Sequence, residues 1–380
     1  MSEPKLYIGL MSGTSMDAVD GVLLSLEDGS NRYEVVDHTS QPISAQLRND
    51  IHLLSYPGRD DIHRLGTTDR ALGKLFAGTA LDLLGKAKLS AGDISAIGSH
   101  GQTIRHYPPS IATGLPYSLQ IGDPSTIAAD TGIATVADFR RKDIALNGEA
   151  APLVPAFHHA VFQSSKLNRA VVNIGGIANI TWLPRAARGV DVQGFDCGPG
   201  NCLMDEWIRR HLSVEFDSEG QWASSGKVIE ELLNKLLDEP YFTVRPPKST
   251  GKELFNQRWL QDMMGDHLSS EPSHDIQATL CEFTALSIVK GLDQISGGRE
   301  IDEIYICGGG AFNTHLMSRL RATSACKTVD STDRAGIHPL HVEAAAFAWL
   351  AHQTLTRTPG SLAGVTGASR PAVLGGIYFP

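Results

Sequence analysis

Leu6-Tyr7-Ile8-Gly9-Leu10-Met11-Ser12-Gly13-Thr14-Ser15-Met16-Asp17 is an apolar run that breaks into a glycine, serine and threonine turn. The pattern returns in Val171-Val172-Asn173-Ile174-Gly175-Gly176-Ile177-Ala178-Asn179. Each run reads as a strand, and each turn lets bare backbone N–H groups and short hydroxyls approach an anion, because glycine tolerates φ > 0 and adds no side chain. One such turn is weak evidence of phosphate binding. Two, one early and one mid-chain, suggest duplicated domains that close on a nucleotide from opposite sides.

The bulk properties agree. A chain of 380 residues is too long for one ordinary core, so two domains are expected. A composition 42% hydrophobic and 20% charged is that of a soluble globular protein. The net charge of -9 argues against general nucleic-acid binding, which needs many Lys and Arg on phosphates. Met1-Ser2-Glu3-Pro4-Lys5 leads into a strand and not a signal sequence, and no stretch approaches the ~20 apolar residues of a membrane span. The expectation is a cytoplasmic protein with no membrane partner. Five cysteines without framework spacing read as reduced thiols and not as a metal-thiolate site.

Strand-like runs fall at 5–10, 21–26, 33–38, 96–99, 134–137, 170–174, 179–183, 303–306 and 327–329, and helical patterns at 65–87, 200–211, 227–237, 276–295 and 341–355. Strands first in hairpin series and then alternating with helices imply an α/β layered fold. The expected division is 1–135 plus 342–380 as one domain and 136–341 as the other.

Several segments carry chemistry, each with a plainer alternative. Asp17-Ala18-Val19-Asp20 follows the first turn, and its two carboxylates either hold hydrated Mg²⁺ on nucleotide phosphates or cap turns. Gly308-Gly309-Gly310, before Ala311-Phe312-Asn313, permits close approach of a nucleobase and ribose, or simply joins strand to helix. Ser99-His100-Gly101-Gln102-Thr103 and Gln120 offer amides and hydroxyls suited to sugar hydroxyls, with His100 read as structural. Asp138-Phe139-Arg140-Arg141-Lys142-Asp143 is either a solvated turn or a guanidinium fork for a carboxylate. Phe195-Asp196-Cys197-Gly198-Pro199-Gly200-Asn201 sets one carboxylate on a Gly-Pro-Gly turn before a helix, as a base or as a cap. Ser225-Gly226-Lys227-Val228 lacks the spacing and the hydroxyl of a phosphate loop.

Together these motifs resemble the anhydro-N-acetylmuramic acid kinase family, within the sugar kinase, actin and Hsp70 ATPase superfamily. Also part of the match are Ala151-Pro152-Leu153-Val154-Pro155, Pro247-Lys248-Ser249-Thr250-Gly251 and Glu343-Ala344-Ala345-Ala346-Phe347. The resemblance implies two RNase-H-like domains with ATP in the cleft between them. Nucleotide contacts would come from Gly13, Thr14, Ser15, Met16, Asp17, Ala18, Val19, Asp20, Asn173, Gly175, Gly176, Gly308, Gly309, Gly310 and Asn313. Sugar contacts would come from Gly101, Gln102, Thr103, Gln120, Arg140, Arg141 and Glu343.

The implied reaction has water open the 1,6-anhydro bridge with Asp196 as base, while the freed O6 takes the γ-phosphoryl group. Where many superfamily relatives carry aspartates, this chain has Met11 and Asn173, so Mg²⁺ falls to Asp17. The expected partners are the anhydrosugar and ATP, with a homodimer left open. Two other classes compete: an ATP-independent glycoside hydrolase using Asp196 and Glu343, and a non-catalytic ATP switch, which would need a further binding domain.

Overall fold

The computed structural model describes residues 4–13, 16–27, 33–186, 191–246, 248–251, 253–265 and 270–380. Its strands are β1 (Lys5–Met11), β2 (Ala18–Leu26), β3 (Tyr33–Pro42), β4 (Ile94–Ser99), β5 (Gln102–Tyr107), β6 (Tyr117–Ile121), β7 (Thr135–Ala137), β8 (Arg169–Ile174), β9 (Ile177–Leu183), β10 (Gln193–Pro199), β11 (Glu303–Cys307), β12 (Thr328–Ser331) and β13 (Gly376–Tyr378).

Two sheets repeat one topology. The first runs β13-β7-β4-β1-β2-β3 and the second β10-β9-β8-β11-β12. In each, an antiparallel three-strand meander (β1-β2-β3, β8-β9-β10) is extended on its first strand by two parallel strands (β4 and β7, β11 and β12). This is the RNase-H-like order, present twice. Tyr7, Ile8 and Leu10 of β1 and Ala170, Val171, Val172 and Ile174 of β8 are all buried, as expected of central strands covered on both faces.

The chain divides into two compact units, Met1–Val161 with His341–Pro380, and Phe162–Leu340. The first crossing therefore comes later than the expected 135/136. Residues after β7 stay with the first unit because Asp143 Oδ1 accepts from Thr366 Oγ1 at 2.9 Å, Glu149 N donates to Thr366 O at 2.7 Å, and β13 pairs with β7.

Each unit has its own core. In the first, Ile8, Leu10, Val19, Leu23, Phe76, Leu83 and Ile97 pack together. In the second, Val172, Ile180, Phe195, Leu203, Phe283 and Ile306 do so. The returning helix Val342–Leu355 lies directly on β1 and β4. A Cβ on Gly9 would stand 1.8 Å from Ala344 O, and one on Gly98, its register partner, 2.0 Å from Phe347 O. Only glycine at both positions admits the helix backbone so closely.

Strand direction positions the chemistry. Because β1, β4 and β7 are parallel, as are β8 and β11, the Gly13 turn, the His100-Gly101-Gln102 segment, the Asp138–Arg141 run, the Gly175 turn and the Gly308 turn all follow the carboxyl ends of their strands. That is the edge at which open α/β sheets bind ligands.

Candidate active site

Asp196 sits inside β10, not on a turn. The expected Gly-Pro-Gly turn is the end of an edge strand, where Pro199 needs no ladder partner and Gly198, at φ +150°, follows an irregularity in register. Nor does Asp196 cap the following helix Cys202–Leu212, whose N-cap is Asn201. Its carboxylate is buried, with Oδ2 accepting from Ser249 Oγ at 2.6 Å and Thr250 N at 3.1 Å. Its backbone is held from both sides: Tyr241 Oη donates to Asp196 O at 2.5 Å, and Asp196 N to Lys248 O at 3.4 Å.

The surroundings keep their protons where they are. Burial, then the Asp196 charge, pushes the Cys197 thiol far up, and the same two causes raise the Tyr241 phenol. Lys248 has its pKa lowered by burial, with its ammonium over the Phe195 and Tyr241 rings at 5.0 and 4.7 Å. Asp196 therefore stands beside two groups that stay neutral, and neither competes with it for a proton.

Strand register extends the site. Asp196 pairs with Asn179, and Asn179 with Asn173, so three polar side chains stand in one row on one face of the sheet. Asn173 Oδ1 and Asn179 Oδ1 are both buried without a hydrogen-bond partner. Asn179, Ser249 and Thr250 carried no assigned role in the sequence. The signal for Asn179 was its period-two spacing from the Gly175 turn.

The glycines separate by cause. Nothing lies within 4 Å of a Cβ added at Gly13, and at Gly175 the nearest atom is an ordinary 3.6 Å away. Packing does not demand glycine at either turn, which leaves both open to an incoming group. The Gly175 turn has its carbonyls pinned: Asn201 N donates to Gly175 O at 2.8 Å, and Gly200 N and Cys202 N to Gly176 O at 2.9 and 3.1 Å. In the third cluster, Gly308, at φ +78°, would drive a Cβ to 2.4 Å from Asn173 Oδ1, and Gly310 one to 2.3 Å from Ile174 Cγ2. Tight connection explains these two, whereas Gly309 has room. Asn313 caps the helix Thr314–Thr323, accepting from Leu316 N at 2.9 Å.

Around the first turn, Thr14 and Ser15 lie outside the described residues. Met16 adopts φ 57° and its N–H bonds Gly13 O at 3.2 Å. The Val19 side chain is fully buried in the core, so a nucleotide contact from Val19 would come from its backbone; Ala18 is half-buried beside it. Asp17 is 65% exposed and pairs with Arg48 at 3.6 Å. Burial raises the Asp20 carboxyl, against the opposing bond from Ser40.

The sugar candidates form a second polar cluster. Ser12 Oγ donates to Gln102 Oε1 at 2.7 Å, tying it to the first turn, while Gln120 Nε2 donates to Thr103 Oγ1 at 3.1 Å across the β5–β6 pair. Gly101, at φ +72°, would press a Cβ to 2.5 Å from Ile121 O. Arg140 Nε donates to His100 Nε2 at 3.0 Å, and Arg140 Nη1 bonds Ala150 O. Burial and then the Arg140 charge lower the His100 pKa, so this imidazole is a neutral acceptor. Arg141 is elsewhere: 60% exposed and paired with Asp138 at 3.3 Å. Glu343 is half-buried in the first turn of the helix Val342–Leu355.

The polar groups follow the carboxyl ends of a duplicated RNase-H-like sheet, and their class is that of the sugar kinase and actin-like ATPases. The chain belongs to the anhydro-N-acetylmuramic acid kinase family, whose model matches residues 5–380. Relatives of that name from Shewanella pealeana and Coxiella burnetii are 49% and 48% identical, each over 98% of this chain and 98% and 97% of their own. One from Shewanella putrefaciens is 50% identical over 98% of both chains. Among the described residues, no helix is long and apolar enough to cross a membrane.

Proposed function

We propose that this chain is an ATP-dependent kinase that opens the 1,6-anhydro ring of anhydro-N-acetylmuramic acid by hydrolysis and phosphorylates the freed O6. The observation that carries this reading is the buried Asp196 carboxylate, held by Ser249 and Thr250 in line with two unpartnered amide oxygens. Such a row suits a water or sugar hydroxyl that must be oriented as it loses a proton.

Water attacks the anomeric carbon and gives its proton to Asp196. The C1–O6 bond breaks, O6 takes the γ-phosphoryl group of ATP, and ADP leaves. The Gly13 and Gly175 turns are assigned to the phosphates, the room at Gly309 to the adenosine, and Gln102, Thr103, Gln120 and Glu343 to the sugar. Arg140 is assigned to the substrate carboxylate, because Arg141 is committed to Asp138 at the surface.

The described residues hold no group of three or more His, Cys, Asp or Glu that could cage a metal. They fit a hydrated Mg²⁺ carried largely by phosphate oxygens, with the exposed Asp17 carboxylate close to the first turn in sequence. When bound, the ion would neutralise charge building on the transferring phosphoryl group. The test is incubation with 1,6-anhydro-N-acetylmuramic acid with and without Mg·ATP. A 6-phosphate formed only with ATP is expected, and ring opening without ATP would favour the hydrolase.

A further inference from the structure

Lys248 plays no part in the reaction above, and it is buried. Lysine is seldom taken out of water unless something holds its ammonium. Here Nζ donates to Tyr241 O at 3.2 Å and stands over the Tyr241 and Phe195 rings at 4.7 and 5.0 Å. A carbonyl and two π faces take the place of part of its hydration. Tyr241 is itself a fixed post. It lies in the single turn Pro240–Thr243, its N–H donates to Glu239 Oε1 at 3.3 Å, and its ring meets Phe255 edge-on at 5.8 Å. Its phenol reaches β10 at Asp196 O, while its carbonyl takes the Lys248 ammonium. One residue thus ties the strand that carries Asp196 to the Lys248 side chain.

The segment that Lys248 opens carries the donors to that carboxylate. Residues 248–250 belong to no helix or strand, so no regular ladder holds them in place. Lys248 O accepts from Asp196 N at 3.4 Å, and the next two residues give Ser249 Oγ and Thr250 N to Asp196 Oδ2 at 2.6 and 3.1 Å. A backbone bond of 3.4 Å is too long to fix the segment by itself. The Lys248 side chain supplies a second anchor. We propose that Lys248 is a positioning residue: its ammonium, seated on Tyr241 and Phe195, holds residues 248–250 against β10 so that Ser249 and Thr250 set the orientation of the Asp196 carboxylate. This rests on the function proposed above, in which that carboxylate is the base.

The test compares Lys248→Met, which keeps most of the unbranched stem and removes the ammonium, with Lys248→Arg, which keeps a cationic donor. Loss of the anchor misplaces the base without touching substrate, so kcat in the methionine variant should fall by about tenfold with KM for ATP and for the anhydrosugar within about twofold. Arginine should recover most of that loss. Because Lys248 acts through Ser249 and Thr250, the combined Lys248→Met and Ser249→Ala variant should lose well short of the product of the two single losses. A normal kcat in Lys248→Met with only a lower Tm, or losses that multiply, would overturn the proposal. If methionine gives no cooperative melt, Lys248→Gln, which keeps an N–H for the Tyr241 carbonyl, takes its place, with a kcat loss of about threefold or more expected and an unchanged kcat overturning the proposal. Asp196→Asn measured alongside separates the two readings. Near-normal turnover there would sink the base itself, whereas lost turnover there beside a normal Lys248→Met would overturn only the role given to Lys248.

Discussion

Ser249 donates its hydroxyl to Asp196 at 2.6 Å, from a segment 53 residues further along the chain. The bond fixes one carboxylate oxygen and leaves the side chain in a single orientation. Ser249→Ala should therefore lower kcat by about tenfold, short of the loss from removing the carboxylate, with KM for ATP little changed. Steady-state kinetics on both substrates would check this, and a purely structural Ser249 would instead show itself as a lower Tm at normal kcat.

The two kinds of glycine give opposite phenotypes. Gly9→Ala must push against the Ala344 carbonyl and should cost about 3 kcal/mol or more of stability. Gly175→Val brings its Cβ no nearer than an ordinary 3.6 Å to a neighbour, so the protein should melt near the wild-type temperature while ATP affinity falls by about tenfold or more. Calorimetric melting and nucleotide titration separate the two, and an unchanged ATP affinity would remove the Gly175 turn from the site.

Arg140 and Arg141 should also differ. Arg141 is exposed with a surface partner, a pair worth about 0–1 kcal/mol, so Arg141→Ala should leave KM for the sugar within about twofold. Arg140→Ala should raise that KM by about tenfold or more. Equal effects would contradict the assignment of the carboxylate to Arg140.

Acid lability follows from three histidines. Burial lowers the pKa of His100 well below its ordinary 6.5, that of His106 to about 4 and that of His158 to about 3. A depressed folded pKa means the unfolded chain binds the proton first, so stability is full above 6.5 and is lost as pH falls towards the folded values. Each site contributes up to about 1.4 kcal/mol per pH unit. Urea unfolding between pH 7 and 5 should show this slope, and His158→Gln should reduce it by about one proton.

The sequence made β1, β8 and β11 legible because a strand covered on both faces is a continuous apolar run. It hid β10, whose end at Gly198 and Pro199 read with Gly200 as a turn although an edge position tolerates them. With β10 unread, the row from Asp196 through Asn179 to Asn173 was out of reach, since it exists only in strand register. Ser249 was invisible for a different reason: no local pattern ties a serine to a carboxylate so far away in sequence. The helix Pro124–Thr131 was readable in principle, with Asp123 as N-cap accepting from Ser125 N at 3.0 Å and proline in the first turn.

The central claim is that Asp196 takes the proton from the attacking water, and the most direct measurement is turnover by Asp196→Asn with ATP binding measured alongside. Asparagine keeps the shape and can still accept from Ser249 and Thr250, but it cannot take the proton. Positioned base catalysis contributes about 10²–10⁴-fold, so kcat should fall by that factor while the Kd for ATP stays within about twofold. Near-normal turnover by the asparagine variant would contradict the account.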